Sequence, residues 1–123
     1  MTWLRLGAAA LMISVVLGAF AAHALGARLS PRSLSAFETA VRYLATHGLG
    51  LLAIGLLARS GIGAAAPLGW AGALMTAGMM LFCGSLVWLA LSGPAWLGPV
   101  TPVGGTLLVA AWGVLLFALL RAG

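Results

Sequence analysis

The chain has 123 residues, 63% of them hydrophobic and 6% charged, with a formal net charge of +5. Soluble domains carry about 25% charged residues, so six Arg and one Glu, with no Lys or Asp, cannot clothe a water-facing surface. This excludes a soluble globular domain, and six arginines scattered along a membrane protein make no basic groove for nucleic acid.

A bilayer hydrocarbon core about 30 Å thick takes roughly 20 apolar residues per spanning helix. Four such stretches occupy most of the chain. The expected fold is all-α, a four-helix transmembrane bundle, with residues 1–123 forming one integral-membrane domain and little left over beyond short ends and turns.

Span one runs from about Trp3 to Leu25. Small residues recur at every fourth position: Ala10, Ser14, Gly18, Ala22 and Gly26. That spacing keeps them near one helix face, where a second helix can approach closely. Arg5 and the Ala22-His23-Ala24 triplet also fit a secretory signal peptide, but the apolar run exceeds the usual 7–15 residues of such a signal.

The connector from Gly26 to Phe37 is polar. Four of the seven charged residues of the chain fall between Arg28 and Arg42. Ser30-Pro31 has the form of a helix start, Ser as cap and Pro in the first helical position. Ser35-x-x-Glu38 has the spacing of a capping box. The two starts compete, which predicts a short interfacial segment between helices one and two. Leu34, Phe37, Val41 and Leu44 form an apolar stripe through it at helical spacing, as in a helix at headgroup level.

Span two covers about Glu38 to Leu57. A link with Arg59 and two glycines follows, and Pro67 opens span three, Leu68 to Leu91. Gly93-Pro94 and Gly98-Pro99 mark the next turn. Thr101-Pro102 repeats the cap-then-Pro pattern ahead of span four, Val103 to Leu120. Trp3, Trp70 and Trp96 fall near span ends as interfacial anchors, whereas Trp112 falls mid-span as a packing residue. Gly84, Ser85, Gly104 and Gly105 join Ala10, Ser14, Gly18 and Ala22 as expected helix-packing positions, since small residues let membrane helices close on one another.

Four spans place both termini on one side. Arg5, Arg59 and Arg121 share that side; Arg28 and Arg32 share the other, and Arg42 falls inside helix two. The rule that Lys and Arg near span ends are retained in the cytoplasm then favours cytoplasmic termini.

Few residues carry chemistry. Glu38 and Arg42 are four apart in the favourable order for an intrahelical ion pair, and that reading is preferred to a proton or ion relay. Thr39, Tyr43 and His47 share a second face of span two, and His23 sits near the end of span one on the same membrane side. The two imidazoles suit cross-helix hydrogen bonds first, proton handling second, and metal or haem ligation last. Met75, Met79 and Cys83 repeat every fourth residue; soft sulfur suits Cu(I), yet a Met stripe in lipid is chiefly packing. No CxxCH or HExxH motif supports a metal or cofactor. The lone Cys83 has no partner for an internal disulfide. Gly104-Gly105 after Thr101-Pro102 is close backbone packing, not a phosphate loop. Ser14, Thr76 and Ser85 have no base in their own spans, so no nucleophilic constellation is formed.

Five segments, taken in order, resemble one family. They are Gly18-Ala19-Phe20 with Ala22-His23-Ala24-Leu25; Thr39-Ala40-Val41 with Tyr43 and His47; Phe82-Cys83-Gly84-Ser85-Leu86; Leu89-Ala90-Leu91; and Thr101-Pro102-Val103-Gly104-Gly105 with Trp112. The chain resembles domain-of-unknown-function family 423, small four-span membrane proteins related to transmembrane protein 256. It departs from the family's pattern at Ala21, Cys83 and Val87, where relatives often carry Gly, Ser and Tyr. The resemblance implies a compact four-helix fold in a bacterial inner membrane and implies no activity.

The functional expectation is a small non-enzymatic membrane protein, structural, accessory or lipid-binding. Its expected partners are membrane lipids, with a second copy of itself or a larger membrane complex as further partners, and no nucleic acid. The rival readings are a transporter or channel for a proton, ion or small solute using His23, His47 and Glu38, and a metal or haem redox protein.

Overall fold

A computed structural model describes residues 1–123. Four helices follow one another: α1 (Thr2–Phe20), α2 (Pro31–Ser60), α3 (Ala65–Ala90) and α4 (Val100–Leu120). A π turn, Ala21–Leu25, extends α1, and a 3₁₀ turn, Ala95–Leu97, precedes α4. With these turns included, all four are long and apolar enough to cross a bilayer. The chain is an all-helical, four-span membrane protein.

Neighbours in sequence are neighbours in space. α1 packs on α2, α2 on α3 and α3 on α4, while α1 and α4 make no substantial contact. Arg59 reaches the sulfur of Met1, and a Cβ on Gly63 would stand 3.7 Å from the Ala118 carbonyl oxygen. The start of α1, the α2–α3 link and the end of α4 therefore share one end of the bundle. At the other end Ala21, Leu25, Phe37 and Ala90 form a small core of their own.

Between lipid-dissolved helices there is little hydrophobic driving force, so close packing and hydrogen bonds hold them. Glycine is the means here. A Cβ on Gly7 would meet the Gly48 carbonyl oxygen at 2.7 Å, and one on Gly55 would meet Leu4. On α3, the Trp3 indole lies across Gly72, where a Cβ would stand 2.6 Å from Cδ2. On α4, Gly104 faces the Phe82 backbone, with Cα 2.8 Å from an added Cβ. The main core lies between these seams and draws Ala10, Leu51, Ile54, Met75, Leu108 and Ala111 from all four helices.

Several sequence expectations change. Helix two begins at Pro31, with no separate interfacial segment before it. Ser30 caps it, its Oγ accepting from the Ser33 N–H at 3.2 Å; Gly61, at φ 69°, closes it with a left-handed cap. The rival box is not formed: the Ser35 carbonyl accepts from Thr39 Oγ1 at 2.9 Å, well inside the helix. The Leu34–Val41 stripe faces protein, and Phe37 is 1% exposed. Tertiary burial of Phe37 thus favours the earlier start.

Helix three begins two residues before Pro67, at Ala65. Helix four begins at Val100, so Thr101 lies within its first turn and does not cap it. Its hydroxyl instead meets Ser85 Oγ at 2.6 Å. Ser85, Gly104, Ala10 and Ser14 are buried as packing positions. Gly18 and Gly105 make looser contacts, to Val41 and Phe82. Ala22 is exposed, and Gly84 is exposed with open space around it, so neither is a packing contact. Trp3, read as an interfacial anchor, is half-buried on Gly72. Trp112, read as packing, is 41% exposed.

Candidate functional site

α2 is 30 residues long, about 45 Å at 1.5 Å per residue. His47 lies about 24 Å from its start and about 20 Å from its end. Wherever a 30 Å hydrocarbon slab is laid along this helix, His47 falls inside it. Trp112 sits in the middle third of α4, a helix of 21 residues.

At that depth His47 is 5% exposed. Its Nδ1 stands 2.6 Å from the carbonyl oxygen of Tyr43, one helical turn back. A carbonyl only accepts, so Nδ1 carries the hydrogen and Nε2 of the neutral ring is left an acceptor. The Tyr43 and His47 rings stack with centroids 5.6 Å apart. Phe82 of α3 lies 4.5 Å from the Tyr43 ring, and Trp112 of α4 lies 6.0 Å from the imidazole. Together with Thr46, Thr106 and Gly105 these side chains line an open groove of about 590 Å³ between α2 and α4, floored by α3.

The other polar candidates are elsewhere. Glu38 and Arg42 line a smaller depression of about 260 Å³ with Gly18, Ala21 and Ala22, on the α1 side of α2. They do not form the expected ion pair: Arg42 Nη2 lies 3.5 Å from Thr39 Oγ1, and Thr39 itself donates to Ser35. His23 is exposed on the π turn. His23, His47 and Glu38 are therefore not brought together, and no three His, Cys, Asp or Glu side chains converge as metal ligands. Met75, Met79 and Cys83 are all buried in α3, the first two in the core.

A second groove, about 450 Å³, opens between α1 and α3. Leu6, Ile13, Leu17, Leu44, Met80 and Val87 are among its walls. Its one hydroxyl, Thr76, is committed to the Gly72 carbonyl at 2.8 Å.

Four-residue spacing marks Tyr43 and His47 in the sequence. It does not mark Thr46, Phe82 or Thr106. Thr46 carries a usable signal, being three residues from Tyr43 on the same face. Phe82 and Thr106 depend on the register of α3 and α4 against α2, which local pattern does not encode.

Four apolar helices joined by short turns, seamed with glycine and carrying one aromatic groove between α2 and α4, define a small multi-span membrane protein. Residues 17–105 match the family described as "Protein of unknown function (DUF423)", and the chain belongs to that family. It is 43% identical over 116 residues to a UPF0382 membrane protein of Staphylococcus epidermidis, covering 94% of this chain and 93% of the relative. It is 42% identical over 113 residues to one of Staphylococcus haemolyticus, covering 92% and 90%. A UPF0382 membrane protein of Bacillus subtilis is 38% identical over 118 residues, covering 94% of each. No solved structure is detectably similar.

Proposed function

We propose that this is a non-enzymatic, lipid-binding protein of the bacterial inner membrane, with both termini in the cytoplasm. The observation that carries this reading is the α1–α3 groove. Eleven of its thirteen lining residues are hydrophobic, and it opens at the surface of a bundle whose four helices are long and apolar enough to span a bilayer. An acyl chain of a membrane lipid fits such a trough, because it needs no polar partner and none is offered.

The hydroxyls support the non-enzymatic half. Ser14, Thr76 and Ser85 donate to the carbonyls of Leu11, Gly72 and Phe82 in their own helices. Hydroxyls so committed are not poised as nucleophiles beside a base. For orientation, Arg42 lies about 16 Å along α2 from Pro31, away from the polar end. Arg5, Arg59 and Arg121 then outnumber Arg28 and Arg32 at the membrane surfaces, and the positive-inside rule assigns their side to the cytoplasm.

Native mass spectrometry of protein released from mild detergent tests the lipid reading. Wild type should retain one phospholipid, and Gly84→Leu, which projects a side chain into the groove from a position with open space, should lose it while keeping its helical circular dichroism. Lipid-free wild type, or equal retention by the variant, would refute the proposal.

A further inference from the structure

The α2–α4 groove offers what the acyl-chain groove does not: unpartnered polar atoms on the membrane-spanning part of α2. His47 Nε2 has no hydrogen-bond partner, yet no buried side-chain nitrogen or oxygen in the chain is left unsatisfied. Nε2 is therefore reachable from the groove that His47 lines. The Thr46 hydroxyl is a second such group. In α2, α3 and α4, Thr39, Thr76 and Thr106 each donate to the carbonyl four residues back; Thr46, exposed on the same groove, makes no such bond. The Tyr43 hydroxyl, on a ring 42% exposed, is the third.

Hydrocarbon supplies no partner for these groups, and an unmatched polar group there is costly. Water satisfies them poorly at this depth. Three aromatic rings line the groove, Tyr43 from α2, Phe82 from the α3 floor and Trp112 from α4. Aromatic faces of this kind favour offset stacking with another ring. The volume, about 590 Å³, lies in the ordinary range for small-molecule sites.

We infer that this groove is a binding site for a planar, lipid-soluble ring bearing a hydroxyl, a phenol- or quinol-type molecule whose O–H donates to His47 Nε2 while its ring stacks beside Trp112. Thr46 and Tyr43 contribute the secondary hydrogen bonds. The site is separate from the α1–α3 groove, so it stands whether or not a lipid occupies that groove.

The test uses full-length protein in nanodiscs of phosphatidylethanolamine and phosphatidylglycerol. The probes are 4-bromo-1-naphthol and its methyl ether, whose bromine quenches tryptophan at short range. The readout is the quenching lost on Trp112→Phe. The naphthol should quench saturably, and the ether, with the same ring and no donor, should bind about tenfold more weakly, the effect of leaving one buried acceptor unpaired. His47→Phe removes the acceptor, so the naphthol should lose its advantage and bind no more tightly than the ether. Thr46→Val, on an exposed position, should give a smaller loss and serves if His47→Phe does not insert. Equal affinity for alcohol and ether in wild type would overturn the inference. So would quenching that rises linearly with probe in the bilayer, which is partitioning without a site.

Discussion

Gly7 and Gly48 bring the backbones of α1 and α2 together: a Cβ on Gly7 would lie 2.7 Å from the Gly48 carbonyl oxygen and 2.9 Å from the Leu52 nitrogen. Both obstacles are backbone, so neither can swing aside. The reverse substitution is gentler. A Cβ on Gly48 would find Ala10 Cβ, the Gly7 carbonyl oxygen and Leu11 Cγ, each at 3.2 Å.

The order of cost follows. Gly7→Ala should lose ~1–3 kcal/mol of stability, in the range for overpacking a tight contact, and Gly48→Ala should lose less. Steric-trap or SDS unfolding of the two variants in micelles checks this. Equal stability of Gly7→Ala and wild type would show that the α1–α2 seam has room for a methyl group at Gly7.

The α3–α4 seam allows a sharper contrast. Gly104 faces the Phe82 backbone nitrogen and Cα, whereas Gly84, in the same pair of helices, has nothing within 4 Å of an added Cβ. Gly104→Ala should therefore destabilise by ~1–3 kcal/mol. Gly84→Ala should be neutral or slightly stabilising, because Ala is the better helix former by up to ~1 kcal/mol. The same unfolding assay reads both, and a Gly84→Ala loss matching that of Gly104→Ala would remove the packing argument.

The four spans were legible because each is a hydrophobic run of the needed length, broken by Gly, Pro or Arg. The seams were only partly so. A row of residues four apart drifts about 40° per step around a helix of 3.6 residues per turn. Followed from Ala10, the row has turned outward by Ala22, and the buried face passes instead through Gly7, Ala10, Ser14 and Ala21. Nothing in Ala21-Ala22-His23-Ala24-Leu25 announces a π turn. For the groove, Tyr43 and His47 were visible as a pair on one helix. Apart from Thr46, the rest of the site comes from α3 and α4, placed by glycine contacts such as Gly104 on Phe82 that no local pattern specifies.

The start of α2 gives a prediction about two serines. Ser30 Oγ accepts from the Ser33 N–H, whereas the Ser35 hydroxyl caps nothing and its carbonyl accepts from Thr39 Oγ1 inside the helix. Ser30→Ala should cost ~1 kcal/mol, the usual loss for a helix N-cap, and Ser35→Ala should cost little. Amide hydrogen exchange localises the effect: Ser30→Ala should speed exchange at Ser33 and Leu34 and leave the His47 region unchanged. Faster exchange in Ser35→Ala and not in Ser30→Ala would restore the later helix start.

Ser85 and Thr101 form the one hydroxyl–hydroxyl bond that joins two helices, at 2.6 Å between α3 and α4. Ser85 is 4% exposed and also donates toward the Phe82 carbonyl at 3.1 Å, and a hydroxyl has only one hydrogen. If Ser85 keeps its hydrogen on Phe82, Thr101 is the donor across the helices and Ser85 Oγ the acceptor. Thr101→Val then removes the only donor to that lone pair, while Ser85→Ala removes both bonds at once. Cross-helix hydrogen bonds in membranes average ~0.6 kcal/mol, so the double-mutant cycle should return a coupling of about that size. Ser85→Ala alone should cost more than Thr101→Val alone. A coupling indistinguishable from zero would mean that the two hydroxyls are held together by the Gly104–Phe82 packing beside them, and that the bond contributes nothing to it.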